Sequence, residues 1–146
     1  MESNKRQFPI GGRLSILIFN KKYIHMTIVS KILIAAVAIE HIYILWLEMF
    51  AWTTAGRKAF KSIPAALFED TKVLAANQGL YNGFLAAGLM WSLLIQDPIW
   101  SSYVAYFFLG CVIVAGLYGA ATAHKSIFFK QALPAIIALA VLLLFK

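Results

Sequence analysis

The chain holds a single cysteine, Cys111, and little charge: 13% of its 146 residues are Asp, Glu, Lys or Arg. One thiol excludes an intramolecular disulfide and leaves the redox compartment undetermined. So little charge, against roughly 25% in soluble domains, argues against a water-facing surface. The sequence lacks a strand pattern, so no glycine-rich strand-to-helix turn is available to cradle a phosphate. No residues have metal-ligand spacing or the makings of a nucleophilic triad, and neither a metal nor a cofactor is expected.

What is there is apolar: 62% hydrophobic residues and a mean hydropathy of +0.78. That composition points to an integral membrane protein of one short domain, with no room for a soluble catalytic unit beside it. Its first partner is therefore the lipid bilayer. A net charge of +7 does not imply nucleic acid here, because basic residues of a multi-pass protein gather in loops for topological reasons.

Four apolar stretches each approach the ~20 residues that a spanning helix requires. They run over about 27–52, 73–95, 99–123 and 127–145. The breaks "QDP" and "HKS" between the last three are short enough to force antiparallel neighbours. The expected fold is all-α: an up-down-up-down bundle of four transmembrane helices. Trp52, Trp91 and Trp100 fall near predicted helix ends, where an aromatic belt would place them. In the longest connection, "TTAGRKAFKSIPAALFEDTK" (53–72), Ser62 can cap a helix and Pro64 suits its first turn. A short interfacial helix is predicted there, running towards the second span.

Residues 1–25 differ in character from the rest of the chain. Their apolar core "LSILIF" is too short for a signal peptide, and no small-residue cleavage site comes after it. They are expected to be a dispensable basic extension, with Met26 opening the first span. Counted from Met26, Lys31 and Lys146 lie on one side, against Arg57, Lys58, Lys61, Lys72, Lys125 and Lys130 on the other. The positive-inside rule then puts the 53–72 connection in the cytoplasm. Including residues 1–25 raises the first count from two to seven against six, and the orientation stays open.

The stretch "IEHIYILWLEMFAW" places Glu40, His41 and Glu48 inside the first span. At 100° per residue they fall within an arc of ~100°. An acid near mid-span costs about 2.5–3.5 kcal/mol on insertion scales, so it should face the bundle interior and find a partner. The second span offers Asn77, Gln78, Tyr81 and Asn82 within an arc of ~140°, able to hydrogen-bond those carboxylates. Gly79 and Gly83 on the neighbouring face permit close helix approach. Gly116, Gly119, Ala120 and Ala123 form a similar packing stripe on the third span, with Tyr118 and Thr122 opposite. On the fourth, Gln131 lies one turn before Pro134, which frees a backbone carbonyl. The bland alternative stands beside each of these: a satisfied interhelical network for the acids and His41, helix glue for the amides, and an apolar filler for Cys111.

Four segments carry a resemblance: "EHIYILWLEMFAW" (40–52), "TKVLAANQGLYNGFLAAGL" (71–89), "LGCVIVAGLYGAAT" (109–122) and "QALPAIIAL" (131–139). They resemble the small four-span membrane proteins of domain-of-unknown-function family 1304. The likeness covers nearly everything from Met26 onward and leaves residues 1–25 outside. It implies a multi-pass protein of the bacterial inner membrane and brings no assigned activity. It also implies that Glu40, His41, Glu48, Lys72, Asn77, Gln78, Tyr81, Asn82 and Gln131 belong to the family pattern.

The sequence leaves three functions open. In the first, Glu40, His41, Glu48, Asn77, Gln78, Tyr81, Asn82 and Gln131 bind a small molecule or lipid, within a carrier. Such a carrier needs the bundle to form a homo-oligomer or to offer two-sided access. In the second, Glu40 or Glu48 with His41 forms an acid-base pair acting on a lipid or isoprenoid. In the third, the chain is an accessory subunit of a membrane complex.

Overall fold

Thr27 starts the first helix by turning its hydroxyl inward: Oγ1 accepts from the Ser30 amide at 3.2 Å and lies 2.8 Å from the Ser30 hydroxyl. That satisfies one of the donors every helix N-terminus leaves unpaired. Helix α1 (Ile28–Met49) comes next, 22 residues long. The computed structural model describes residues 26–145; residues 1–25, the expected basic extension, and residue 146 lie outside the described residues. The chain is all-helical there.

Past Met49 the winding loosens. The Ala51 amide bonds the Trp46 carbonyl at 3.1 Å, and the Gly56 amide bonds the Ala51 carbonyl at 2.7 Å. Each bond spans five residues, which makes Trp52–Gly56 a π-helical turn of the kind that re-aims side chains. Gly56 fits closely there: a Cβ would sit 3.2 Å from the Ala51 carbonyl oxygen and 3.3 Å from the Trp52 ring, a tight contact. Two short pieces, α2 (Arg57–Ala59) and α3 (Leu67–Asp70), complete the connection. The helix predicted around Ser62 and Pro64 begins later than expected, with Ala66 at its N-cap position. Unbroken hydrogen bonds from Thr71 to Leu67 and from Ala75 to Thr71 carry it into α4 (Lys72–Leu94).

This connection has its own small core. Trp52 is only 8% exposed and packs with Phe68 and Ala75, its ring centroid 4.9 Å from that of Phe68 and 5.2 Å from that of Phe60. Its indole N–H donates to Thr71 Oγ1 at 3.1 Å, and the Thr71 hydroxyl donates to the Leu67 carbonyl at 2.7 Å. The aromatic-belt expectation therefore fails for Trp52, because the π turn swings the ring inward; Trp91 and Trp100 are exposed.

Asp97 stops the chain after α4 and starts α5 (Pro98–Thr122). Its carboxylate accepts from the amides of Ile99 and Trp100, both at 2.9 Å, with Pro98 in the first turn. Ser101 fastens the two helix ends by donating to the Ser92 carbonyl at 2.8 Å. A second π turn, Phe128–Ala132, leads into α6 (Leu133–Leu144). Helix α4 packs on α1 and α5, α6 packs on α5, and α1 meets α6, so the four long helices make a closed ring. Alanines at the centre of that ring, Ala38, Ala105, Ala135 and Ala138, are fully buried beside Ile34, Val37, Leu89, Leu109 and Leu142.

Among the described residues two helices are long and apolar enough to cross a membrane: Ile28–Met49 and Pro98–Thr122. The other two fall short for different reasons. Helix α4 has the length but carries Asn77, Gln78 and Asn82, while the apolar stretch Phe128–Leu144 is too short.

Candidate functional site

The predicted polar residues do not gather in one place. Two separate arrangements hold three of them, Glu48 with Asn82 on one flank of α1 and Glu40 on the other.

The first is the seam between α1 and α4. Gly79 and Gly83 bring the backbones together: a Cβ on Gly79 would lie 2.7 Å from Met49 Cγ, 3.0 Å from Glu48 Cβ and 3.1 Å from the Leu45 carbonyl oxygen. At Gly83 it would lie 2.5 Å from Leu45 Cδ1. Such proximity lets the short Asn82 side chain reach across. Its Nδ2 donates to Glu48 Oε2 at 2.9 Å and also to the Gln78 carbonyl at 3.1 Å. Glu48 is 8% exposed, so the amide supplies what desolvation takes from the acid.

His41 lies deeper still, at 1% exposure. Its Nδ1 sits 2.8 Å from the Val37 carbonyl oxygen. A carbonyl can only accept, so Nδ1 carries the hydrogen, and in the neutral ring Nε2 is left with the lone pair. Although His41 lies on the same arc of α1 as Glu48, no hydrogen bond among the described residues joins the two.

The second arrangement is a groove of about 370 Å³ between α1 and α6. Leu33, Ala36 and Val37 line it from α1, and Leu133, Pro134 and Ile137 from α6. Glu40 is the one ionisable side chain in the lining, half-buried at its edge. Across from it the backbone is unusual. The Leu133 amide bonds the Phe128 carbonyl, so the donor an α-helix would aim at Phe129 O is engaged one residue back. Pro134 has no N–H to give the Lys130 carbonyl. The π turn and the proline together strip two carbonyls of their α-helical donors. Insertions of this kind are common at functional sites.

The remaining predicted residues stand apart. Asn77, Gln78 and Tyr81 face outward on α4, Tyr81 at 58% exposure with its ring packed on Phe84. Gln131 is half-buried in the π turn beside Ala132. Among the described residues no group of three His, Cys, Asp or Glu is placed to hold a metal ion. Sequence reasoning did not find the groove lining, since Leu33, Ala36, Val37, Leu133 and Ile137 look like any other apolar residues. Pro134 one turn after Gln131 was the available signal.

An all-helical chain whose outer faces carry Ile28, Ile32, Ile39, Phe84, Leu94, Phe107 and Leu144 is of the small, apolar-surfaced helical class. The chain belongs to the family described as protein of unknown function (DUF1304), which it matches over residues 35–143. It is also 33% identical over 116 residues to the uncharacterized protein YpaA of Lactococcus lactis subsp. lactis (strain IL1403), an alignment covering 78% of this chain and 96% of that protein. No solved structure matches it.

Proposed function

We propose that the chain is an integral membrane protein of the bacterial cell membrane that holds a small amphiphile in the groove between α1 and α6. Its four long helices would cross the bilayer in up-down-up-down order, and Glu40 would mark the polar end of the bound molecule. Membrane insertion is supported by the breadth of the exposed apolar surface. Val73, Leu74, Leu80, Phe84, Met90 and Leu94 are exposed on α4 too, although its amides lower its overall hydropathy. Surfaces this apolar mark contact with lipid or with partner proteins.

The observation that carries the binding reading is the placement of Glu40. A half-buried carboxyl lines an otherwise apolar groove and has no hydrogen-bond partner among the described residues, whereas Glu48 has Asn82. An acid kept at that depth without a fixed partner is the usual sign of function rather than packing. Native mass spectrometry of wild type and Glu40→Gln from mild detergent tests it. A discrete non-detergent adduct on the wild type, absent from an equally stable variant, is the expected result. Identical spectra from both proteins would sink the proposal.

Exposed Asn77, Gln78 and Tyr81 favour a second reading, in which α4 packs on another subunit or on a second copy. Amides facing hydrocarbon are costly, and a neighbouring helix would satisfy them. Crosslinking through Asn77→Cys in native membranes should then give a defined adduct, and a monomer alone would reject this version.

A further inference from the structure

Among the described residues, α4 is the long helix whose outward face carries amides. Leu74, Asn77, Tyr81 and Phe84 recur there at intervals of three and four and fall within an arc of about 80°. All four are exposed. Gly79 and Asn82, which meet α1, lie on the opposite side of the helix. The outward residues of the two most apolar helices are hydrocarbon by contrast: Ile32, Ile39 and Ile42 on α1, Phe107, Val114 and Leu117 on α5.

Asn77 is the residue whose position costs most. A helix of 23 residues is about 35 Å long, against a hydrocarbon core of about 30 Å. Asn77 comes about 8 Å along the axis from Lys72, the first residue of α4, so its amide lies inside the hydrocarbon. The side chain is too short to lift that amide back to the head groups. Among the described residues no hydrogen bond reaches it, nor the side chains of Gln78 and Tyr81; at Gln78 only the backbone carbonyl is engaged, by Asn82 at 3.1 Å. An amide facing hydrocarbon needs a partner from outside the chain.

Symmetry says which partner suffices. Two copies inserted in the same direction are related by a two-fold axis along the membrane normal, so each residue on that axis meets its own equivalent at the same depth. A carboxylate or an ammonium facing itself would repel. An asparagine satisfies itself, because its amide both donates and accepts. The spacing of Leu74, Asn77, Tyr81 and Phe84 is that of a seam between two helices crossing at a small angle, where one asparagine among apolar neighbours sets the register. The Tyr81 and Phe84 rings, already 6.4 Å apart, extend the contact toward mid-bilayer.

We infer that α4 is a homodimer seam: two copies meet across this axis, Asn77 hydrogen-bonding Asn77 of the second copy while Leu74, Tyr81 and Phe84 pack around the pair. This rests on the reading above that α4 packs on a neighbour, and it names the neighbour.

The full chain is tested in native membranes, with Cys111→Ser removing its own thiol. Leu74→Cys then takes a photoreactive maleimide on the seam and leaves Asn77 intact, and two differently tagged copies are expressed together. Illumination should give an adduct of twice the chain mass that carries both tags, and the same label at Phe107→Cys on α5 should give none. An adduct of another mass without the second tag overturns the second copy and leaves α4 in contact with a different subunit. No protein adduct at Leu74→Cys overturns both. In mild detergent, sedimentation should show the monomer–dimer constant weakened roughly tenfold by Asn77→Leu, as two reciprocal interhelical hydrogen bonds would give. Asn77→Gln keeps donor and acceptor and should restore most of it. A constant unchanged by Asn77→Leu overturns the proposal. Should that variant lose its fold, the photocrosslink, made with Asn77 in place, decides alone.

Discussion

Asn82 and Glu48, separated by 34 positions in the chain, meet at 2.9 Å in the seam between α1 and α4. The amide hydrogen that reaches the carboxylate is in range only because Gly79 and Gly83, on either side of it, have no side chain to hold the helices apart. Asn82→Ala should leave a buried acceptor without its donor, whereas Glu48→Gln keeps an amide oxygen that Asn82 can still address. Glu48→Gln should therefore cost less than Asn82→Ala, and a double-mutant cycle of Asn82→Ala with Glu48→Ala, which does remove the bond, should give a coupling of about 1 kcal/mol, near the range of interhelical hydrogen bonds measured in membranes. Thermal unfolding in detergent reads it, and strict additivity of the two substitutions would count against the bond.

The glycines should separate into two groups. A Cβ on Gly116 meets the Ala132 backbone amide nitrogen at 2.8 Å, and backbone cannot step aside. Gly116→Ala should therefore cost roughly 1–3 kcal/mol, as overpacking does. Gly88→Ala drives its methyl into the Phe108 ring and should also destabilise. A methyl on Gly110 would have nothing within 4 Å of it, and Gly110→Ala should be neutral or gain up to about 1 kcal/mol from helix propensity. Melting temperatures that fail to rank Gly110→Ala above Gly116→Ala would contradict this packing.

Trp52 anchors the connection between α1 and α4 through both its ring and its N–H. Trp52→Phe keeps most of the ring contact with Phe60 and Phe68 but loses the bond to Thr71, so a loss of about 1 kcal/mol is expected. Trp52→Ala empties the cluster and should cost roughly 3–5 kcal/mol. Limited proteolysis across residues 53–70 should accelerate in the alanine variant and change little in the phenylalanine one.

Pro134 and the π turn before it should behave as a unit. Pro134→Ala supplies the N–H that the Lys130 carbonyl lacks and lets residues 128–132 wind as regular α-helix. Amide hydrogen exchange there should slow, and the adduct sought with Glu40→Gln as control should weaken as Leu133 and Ile137 rotate away from the groove. Exchange left unchanged would mean that the proline is not what holds the π turn.

The helices themselves were legible from the chain alone, because apolar runs of that length in a sequence with so few charges have little else to become. The short break "QDP" marked the turn between the second and third apolar runs, while the cap that Asp97 makes on α5 came from the structure. Glycine spacing on α4 likewise marked a close contact, although not its partner. The polar stripe misled for a physical reason. An arc of ~140° is wide enough for one edge, Asn82, to face Glu48 while Asn77, Gln78 and Tyr81 turn outward, and helical angle alone does not say which edge is buried.

What the sequence by itself determined, then, is local and one-dimensional: the apolar runs, the short turns and the positions of the acids along α1. Only the tertiary structure decided that Glu40 and Glu48, on one arc of one helix, serve different neighbours. A two-turn separation along α1 carries them to different flanks, where α4 offers Glu48 an amide and α6 offers Glu40 a groove. Which helix lies on which flank is fixed by glycine and alanine contacts between residues far apart in the chain, and no periodicity within a single helix records it.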